Sequence, residues 1–165
     1  MNNKGCVIMQ SNLEINILQL NNIEQLPLDL LLLADPSEEL VMKYVSKGKC
    51  YVAVTRDEEI VGVYILLQLD EHTAEIMNVA VVEHMQGKGL GKKLVLHALE
   101  VAKSIGMMKV EIGTGNSSIG QLALYQKCGF RITGIIEDFF LQNYPEPIFE
   151  NGIQCRDMVR LTFII

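Results

Sequence analysis

Seven residues in the middle of the chain, Gln86-Gly87-Lys88-Gly89-Leu90-Gly91-Lys92, have the types and spacing that most plainly carry chemistry. An apolar, β-branched run from Thr73 to Val82 leads into them, and residues at three-to-four spacing lead out. A strand passing through glycines into a helix lets backbone N–H groups approach a phosphate closely, and the helix start adds roughly half a positive charge. Lys88 and Lys92 add mobile charge beside that turn. Upstream, Glu75 places a carboxylate in the same strand, where it is a candidate base. Downstream, Asn116 and Tyr125 follow the next predicted strand and its helix.

Two common phosphate loops fail against these letters. A P-loop needs four residues between its glycines and then Lys-Ser/Thr, whereas Gly87 and Gly91 are closer together and Lys93 follows. The dinucleotide fingerprint needs a glycine at position 92, which is lysine. The pattern that is met is Gln-x-x-Gly-x-Gly, through Gln86, Gly89 and Gly91. With Asn116 after the following strand and Leu124-Tyr125-Gln126-Lys127-Cys128-Gly129-Phe130 on the following helix, the chain resembles the GCN5-related N-acetyltransferase (GNAT) superfamily, in its small, single-domain bacterial form. The resemblance covers roughly residues 52 to 133.

That resemblance implies acetyl-coenzyme A as co-substrate and direct attack by an amine in a ternary complex. It implies a bulged strand whose backbone at Val79, Ala80 and Val81 pairs with the pantetheine arm, with the Val79 N–H facing the thioester oxygen. Gln86, Gly87, Lys88, Gly89, Leu90, Gly91 and Lys92 would seat the pyrophosphate, helped by Lys127. Asn116 would bond the arm or cap the next helix, with Ser117 and Ser118 as alternative caps. Tyr125 would protonate the departing thiolate. Glu75 has the spacing of the base in the family's histone-acetylating members; Asp138, Glu146 or Glu150 are rivals for handling the amine. The expected substrate contacts are Asp138, Tyr144, Glu146 and Glu150, on a stretch (138–152) that serves either the substrate or a homodimer contact. The acceptor is expected to be a primary amine of a small molecule or peptide. A protein lysine or N-terminal acetyltransferase and a non-catalytic acyl-coenzyme A sensor are the other readings.

The elements that must position these residues can be read along the chain. Alternation from Leu13 to Leu18 predicts a strand, and the apolar run Leu26 to Leu33 a helix. Asp35-Pro36-Ser37-Glu38 then looks like the start of a second helix, capped by Asp35 and running to about Lys47. Cys50 to Thr55 and Ile60 to Leu69 read as a hairpin, Thr73 to Val82 as a strand. Leu90 to Ile105 is an amphipathic helix ended by Gly106, Lys109 to Gly113 a strand, and Ile119 to Cys128 a short helix stopped by Gly129. Phe130 to Ile136 and Met158 to Ile165 are extended and form a C-terminal hairpin over about 130–165, joined by a loop through Pro145 and Pro147. The expected fold is α/β and GNAT-like: a mixed, mostly antiparallel sheet of about six to seven strands flanked by about four helices, in one domain over 1–165.

Composition bounds the rest. The chain has 165 residues, and 14 basic against 20 acidic side chains give a net charge of −6. That balance argues against a sequence-independent grip on nucleic acid and suits a cationic acceptor. The four cysteines form no C-x-x-C pair, and His72, His84 and His97 have no metal-ligand spacing, so no metal is expected. No apolar run approaches the roughly 20 residues of a membrane span and no leader pattern opens the chain, so a cytoplasmic protein is expected.

Overall fold

The computed structural model describes residues 14–165. Leu13, the first residue of the expected opening strand, lies outside the described residues. The elements are β1 (Asn16–Leu20), α1 (Leu28–Ala34), α2 (Glu38–Val45), β2 (Lys49–Val54), β3 (Ile60–Gln68), β4 (Thr73–Val81), α3 (Leu90–Ser104), β5 (Lys109–Gly115), α4 (Ile119–Lys127), β6 (Arg131–Ile136), α5 (Phe139–Asn143), β7 (Ile148–Glu150), β8 (Ile153–Cys155) and β9 (Met158–Ile164). Seven strands form one sheet in the order β1-β2-β3-β4-β5-β9-β6, and β7 and β8 form a separate hairpin. Neighbours in the large sheet are antiparallel except β4 and β5, which run parallel across the α3 crossover. This is the expected mixed, mostly antiparallel architecture, with five helices among the described residues rather than about four.

Each sheet face buries its own core. On one face Leu94, Val95 and Ala98 of α3 pack on Tyr64, Ile112 and Leu161; on the other, Leu31 and Val41 of α1 and α2 pack on Val63 and Ile65. Gly62 lets α3 approach closely, since a Cβ there would stand 2.9 Å from a Leu94 methyl. Removing the Leu94 side chain from water contributes on the order of 2 kcal/mol. Among the described residues no helix is long and apolar enough to cross a membrane.

Two irregularities in β4 matter for function. Its pairing with β3 shifts between Leu66↔Ile76 and Ile65↔Asn78, so Met77 is an extra residue on the β4 side. Ala74 and Ile76 therefore face the α3 core, but beyond the bulge Val79 and Val81 do so, while Asn78 and Ala80 turn toward α1 and α2. The pairing of β4 with β5 runs only from Thr73↔Lys109 to Ile76↔Ile112, after which the strands part. The bulge and the splay implied by the resemblance are both present.

Three local expectations need correcting. The cap of α2 is Ser37, whose Oγ accepts from Leu40 N at 3.3 Å, and not Asp35. Asp35 is extended (φ −139°) and ends α1, its carboxylate accepting from Ser37 N. Helix α2 stops at Val45, short of Lys47. The stretch 138–152 is not a plain loop: it holds α5, β7 and the turn, at Asn151 (φ 54°) and Gly152 (φ 72°), that leads β7 into its hairpin with β8.

Candidate active site

The glycine segment is shaped by its neighbours. After β4 a single 3₁₀ turn, Glu83–Met85, drops the buried Met85 into the core and anchors the chain. Gln86 then reaches back, its Nε2 donating to the Val81 carbonyl at 2.9 Å, which ties the turn to the end of β4. Gly87 (φ 72°) and Gly89 (φ 82°) take the left-handed backbone that only glycine enters cheaply, and Gly89 caps α3. The first bond into the helix is Lys93 N to Gly89 O at 3.1 Å, so the N–H groups of Leu90, Gly91 and Lys92 have no acceptor within their own helix.

A groove of about 680 Å³ runs from these donors along β4 to α4. Val79, Ala80, Val81, Gln86, Gly87, Gly89, Gly91, Lys92, Tyr125 and Lys127 line it. Within the glycine segment two expected contacts do not: the Lys88 side chain is exposed outside it, and Leu90 is 2% exposed in the core, leaving only its backbone for a ligand. The donors, the two lysines and the free edge of β4 fit a diphosphate continued by an amide-bearing arm.

Asn116 is a correction. Its Nδ2 donates to Gln154 O at 3.0 Å, and its Oδ1 accepts from Arg156 N at 2.7 Å and Asp157 N at 2.9 Å. The side chain is spent clamping the end of β5 to the turn before β9 and lines neither groove. Nor does any side chain cap α4: Ser117 and Ser118 donate instead to the Glu150 carboxylate.

A second groove of about 360 Å³ opens on the α1/α2 side, bounded by the Ala34-Asp35 junction, the bulge of β4, the end of β5 and the 138–152 segment. The two grooves share Leu33, Ala34, Val79, Gln121 and Tyr125, so they meet where β4 and β5 part. Tyr125 is 5% exposed at that junction. Burial, with the nearby Cys128 adding to it, pushes its pKa well up, so it stays a protonated donor at neutral pH.

The expected substrate contacts divide. Tyr144 and Glu150 line the second groove. Asp138 does not: its carboxylate is paired with Arg156 and its N–H with Asp157 Oδ1. Glu146 is exposed on the connecting turn, outside the groove. Glu75 also lies outside both grooves, held by Arg160 Nη1 at 2.5 Å while Arg160 Nη2 reaches Glu111 at 3.0 Å. The residues that sequence reasoning missed are Asp35, which accepts from the Tyr144 hydroxyl at 2.9 Å, and Asn78, which bonds Tyr44. A polar residue in the apolar run Ile76 to Val81 was the available signal for Asn78. Among the described residues no three His, Cys, Asp or Glu side chains converge as a metal site requires.

The chain is similar to known proteins. The model of the acetyltransferase (GNAT) family matches residues 19–130. The Bacillus subtilis (strain 168) protein described as uncharacterized N-acetyltransferase YvbK is 62% identical over 133 residues, 81% of this chain and 85% of its own. A crystal structure of a GNAT family acetyltransferase from Elizabethkingia anophelis with acetyl-CoA bound superposes with a TM-score of 0.89 at 50% identity, covering 92% of this chain and 98% of that one. An IAA acetyltransferase from Bacillus cereus ATCC 14579 gives 0.88 at 55%, covering 92% of this chain and 100% of that one.

Proposed function

The chain belongs to the acetyltransferase (GNAT) family, and from that premise we propose that it transfers acetyl from acetyl-coenzyme A to the primary amine of a small molecule or short peptide, one substrate in each groove. That it is an acetyl-CoA-dependent N-acetyltransferase follows from the family, the N-acetyltransferase relative and the acetyl-CoA-bound neighbour. The acceptor class is our reading. What carries it is the meeting of the two grooves at Val79 and Tyr125, beside the point where β4 and β5 stop pairing. The acceptor groove, about 360 Å³, is near the lower end of small-ligand pockets, which supports a compact amine over an extended protein segment.

In this reading the diphosphate meets the N–H groups that open α3, with Lys92 and Lys127 beside it, and the pantetheine arm lies along Val79 to Val81. The Val79 N–H faces the thioester oxygen as negative charge develops there, a form of stabilisation often worth several kcal/mol. The amine attacks in neutral form, the N–C bond forms, the C–S bond breaks, and the sulfur leaves beside the Tyr125 hydroxyl, which gives the departing thiolate a proton and regains one, through solvent, from the acylated nitrogen. Stabilisation by acetyl-coenzyme A in a thermal-shift titration, followed by amine-dependent release of free thiol, tests the proposal. A folded protein that binds the coenzyme yet acetylates no amine in a broad panel would instead be an acyl-coenzyme A sensor.

A further inference from the structure

The acceptor groove carries negative charge with no cation of its own to balance it. Asp35 and Glu150 both line it, and among the described residues no Lys, Arg or His does. Asp35 is the nearer to the reaction in the chain, since it follows Ala34, which lines both grooves. Glu150 is taken up at the start of α4 by the Ser117 and Ser118 hydroxyls. The half-buried Asp35 is fixed: its Oδ1 accepts from Ser37 N at 3.1 Å and from the Tyr144 hydroxyl at 2.9 Å. A carboxylate can accept about four hydrogen bonds, and both of these fall on one oxygen.

The contact with Tyr144 joins the end of α1 to the 138–152 segment, so the carboxylate lies between two walls of the groove. Tyr44 and Tyr144 flank it; burial above all, and the Asp35 charge as well, push both hydroxyls well up in pKa, so they stay protonated and neutral. A second feature points the same way. Tyr144 stacks on Phe140, with ring centroids 5.5 Å apart at 29°, and both rings line the groove. Ring faces attract cations through their quadrupole, and a carboxylate beside them attracts the same charge.

We propose that Asp35, with the Phe140–Tyr144 pair, holds the cationic nitrogen of the acceptor, and that the groove therefore admits amines with no carboxylate beside that nitrogen and turns free amino acids away. The inference deepens the function proposed above and rests on it. An amino acid would bring its own carboxylate into a groove that already holds Asp35 and Glu150, which is selection by repulsion. A peptide N-terminus, whose neighbouring carboxyl is an amide, is not repelled in this way. Before attack the ammonium gives one proton to the Asp35 carboxylate, which passes it to solvent and is restored, and the freed lone pair forms the N–C bond.

The test uses the full chain with phenethylamine and L-phenylalanine as acceptors, and with phenethyltrimethylammonium, a cation that cannot be acetylated, as a ligand read by calorimetry in the presence of coenzyme A. Wild type should bind that cation and should prefer phenethylamine over L-phenylalanine by about a hundredfold in kcat/KM. Asp35→Asn keeps an oxygen for Ser37 and Tyr144 but loses the charge. In it the KM for phenethylamine should rise, and the affinity for the cation fall, by about tenfold, with coenzyme A affinity unchanged. Phe140→Leu should weaken the cation about threefold. Equal use of the two acceptors by wild type, no binding of the cation, or equal affinity for it in Asp35→Asn overturns the inference and leaves the acetyltransferase reading in place. If Asp35→Asn does not fold, unchanged affinity for the cation in Phe140→Leu overturns it. Binding of the cation that depends on Asp35, without acetylation of any amine, supports the cation site and removes the enzymatic reading.

Discussion

Two glycines at opposite ends of α3 share one backbone conformation. Gly89 opens the helix and Gly106 follows its end, both with φ of 82°, and a Cβ built on either meets nothing within 4 Å. An alanine at either place incurs only the left-handed backbone penalty, about 1 kcal/mol. In a domain of this size that lowers Tm by about 3 °C. Gly89 alone lines the coenzyme groove, where its methyl would stand over the N–H donors. Loss of one hydrogen bond to a charged phosphate costs about 2 kcal/mol, some thirtyfold in affinity. Gly89→Ala and Gly106→Ala should therefore lose similar stability by thermal denaturation, while calorimetry with coenzyme A should show a large loss of affinity for Gly89→Ala only. Equal affinities in the two variants would refute the assignment of the anion site to the start of α3.

Other outcomes follow from the same contacts. Tyr125→Phe should lower kcat about a hundredfold with coenzyme A affinity intact, and unchanged turnover would remove the hydroxyl from the chemistry. Glu75→Gln should leave the pH profile of the reaction unaltered, because Arg160 holds Glu75 outside both grooves, but lower stability by about 1 kcal/mol; a rate depressed most at low pH would restore Glu75 as the base. Lys109, and then Arg160, hold the Glu111 carboxyl below its ordinary range. The stability this confers is present above the unfolded value of about 4.3 and is lost as pH falls through the lower folded value. Melting curves of Glu111→Gln should accordingly be flatter on the acid side than those of wild type, and parallel curves would contradict the pairing.

The strands and helices that hold the coenzyme groove were legible because apolar periodicity and glycines mark them directly: Leu94, Val95 and Ala98 face the core as their spacing requires, and Gly89 and Gly106 bracket α3. The acceptor groove was less legible, because it is assembled from distant residues. Asp35 meets Tyr144 across 109 positions, and nothing local announces that contact. Asp35-Pro36 resembled a helix cap, but Ser37 competes for the same role and is better placed once Pro36 separates the two helices. Asn151-Gly152 is a hairpin signal, but Pro145 and Pro147 just before it are equally strong loop signals and obscure it. Asn116 was assigned from motif order alone, and which of its partners wins depends on where the turn before β9 lands.

Amide hydrogen exchange with and without acetyl-coenzyme A reads directly whether the coenzyme lies from the start of α3 to the free edge of β4. Slower exchange confined to residues 79–81 and 86–93 is the predicted result. Saturable binding that leaves those amides unchanged, or no binding at millimolar coenzyme by a folded sample, would contradict it.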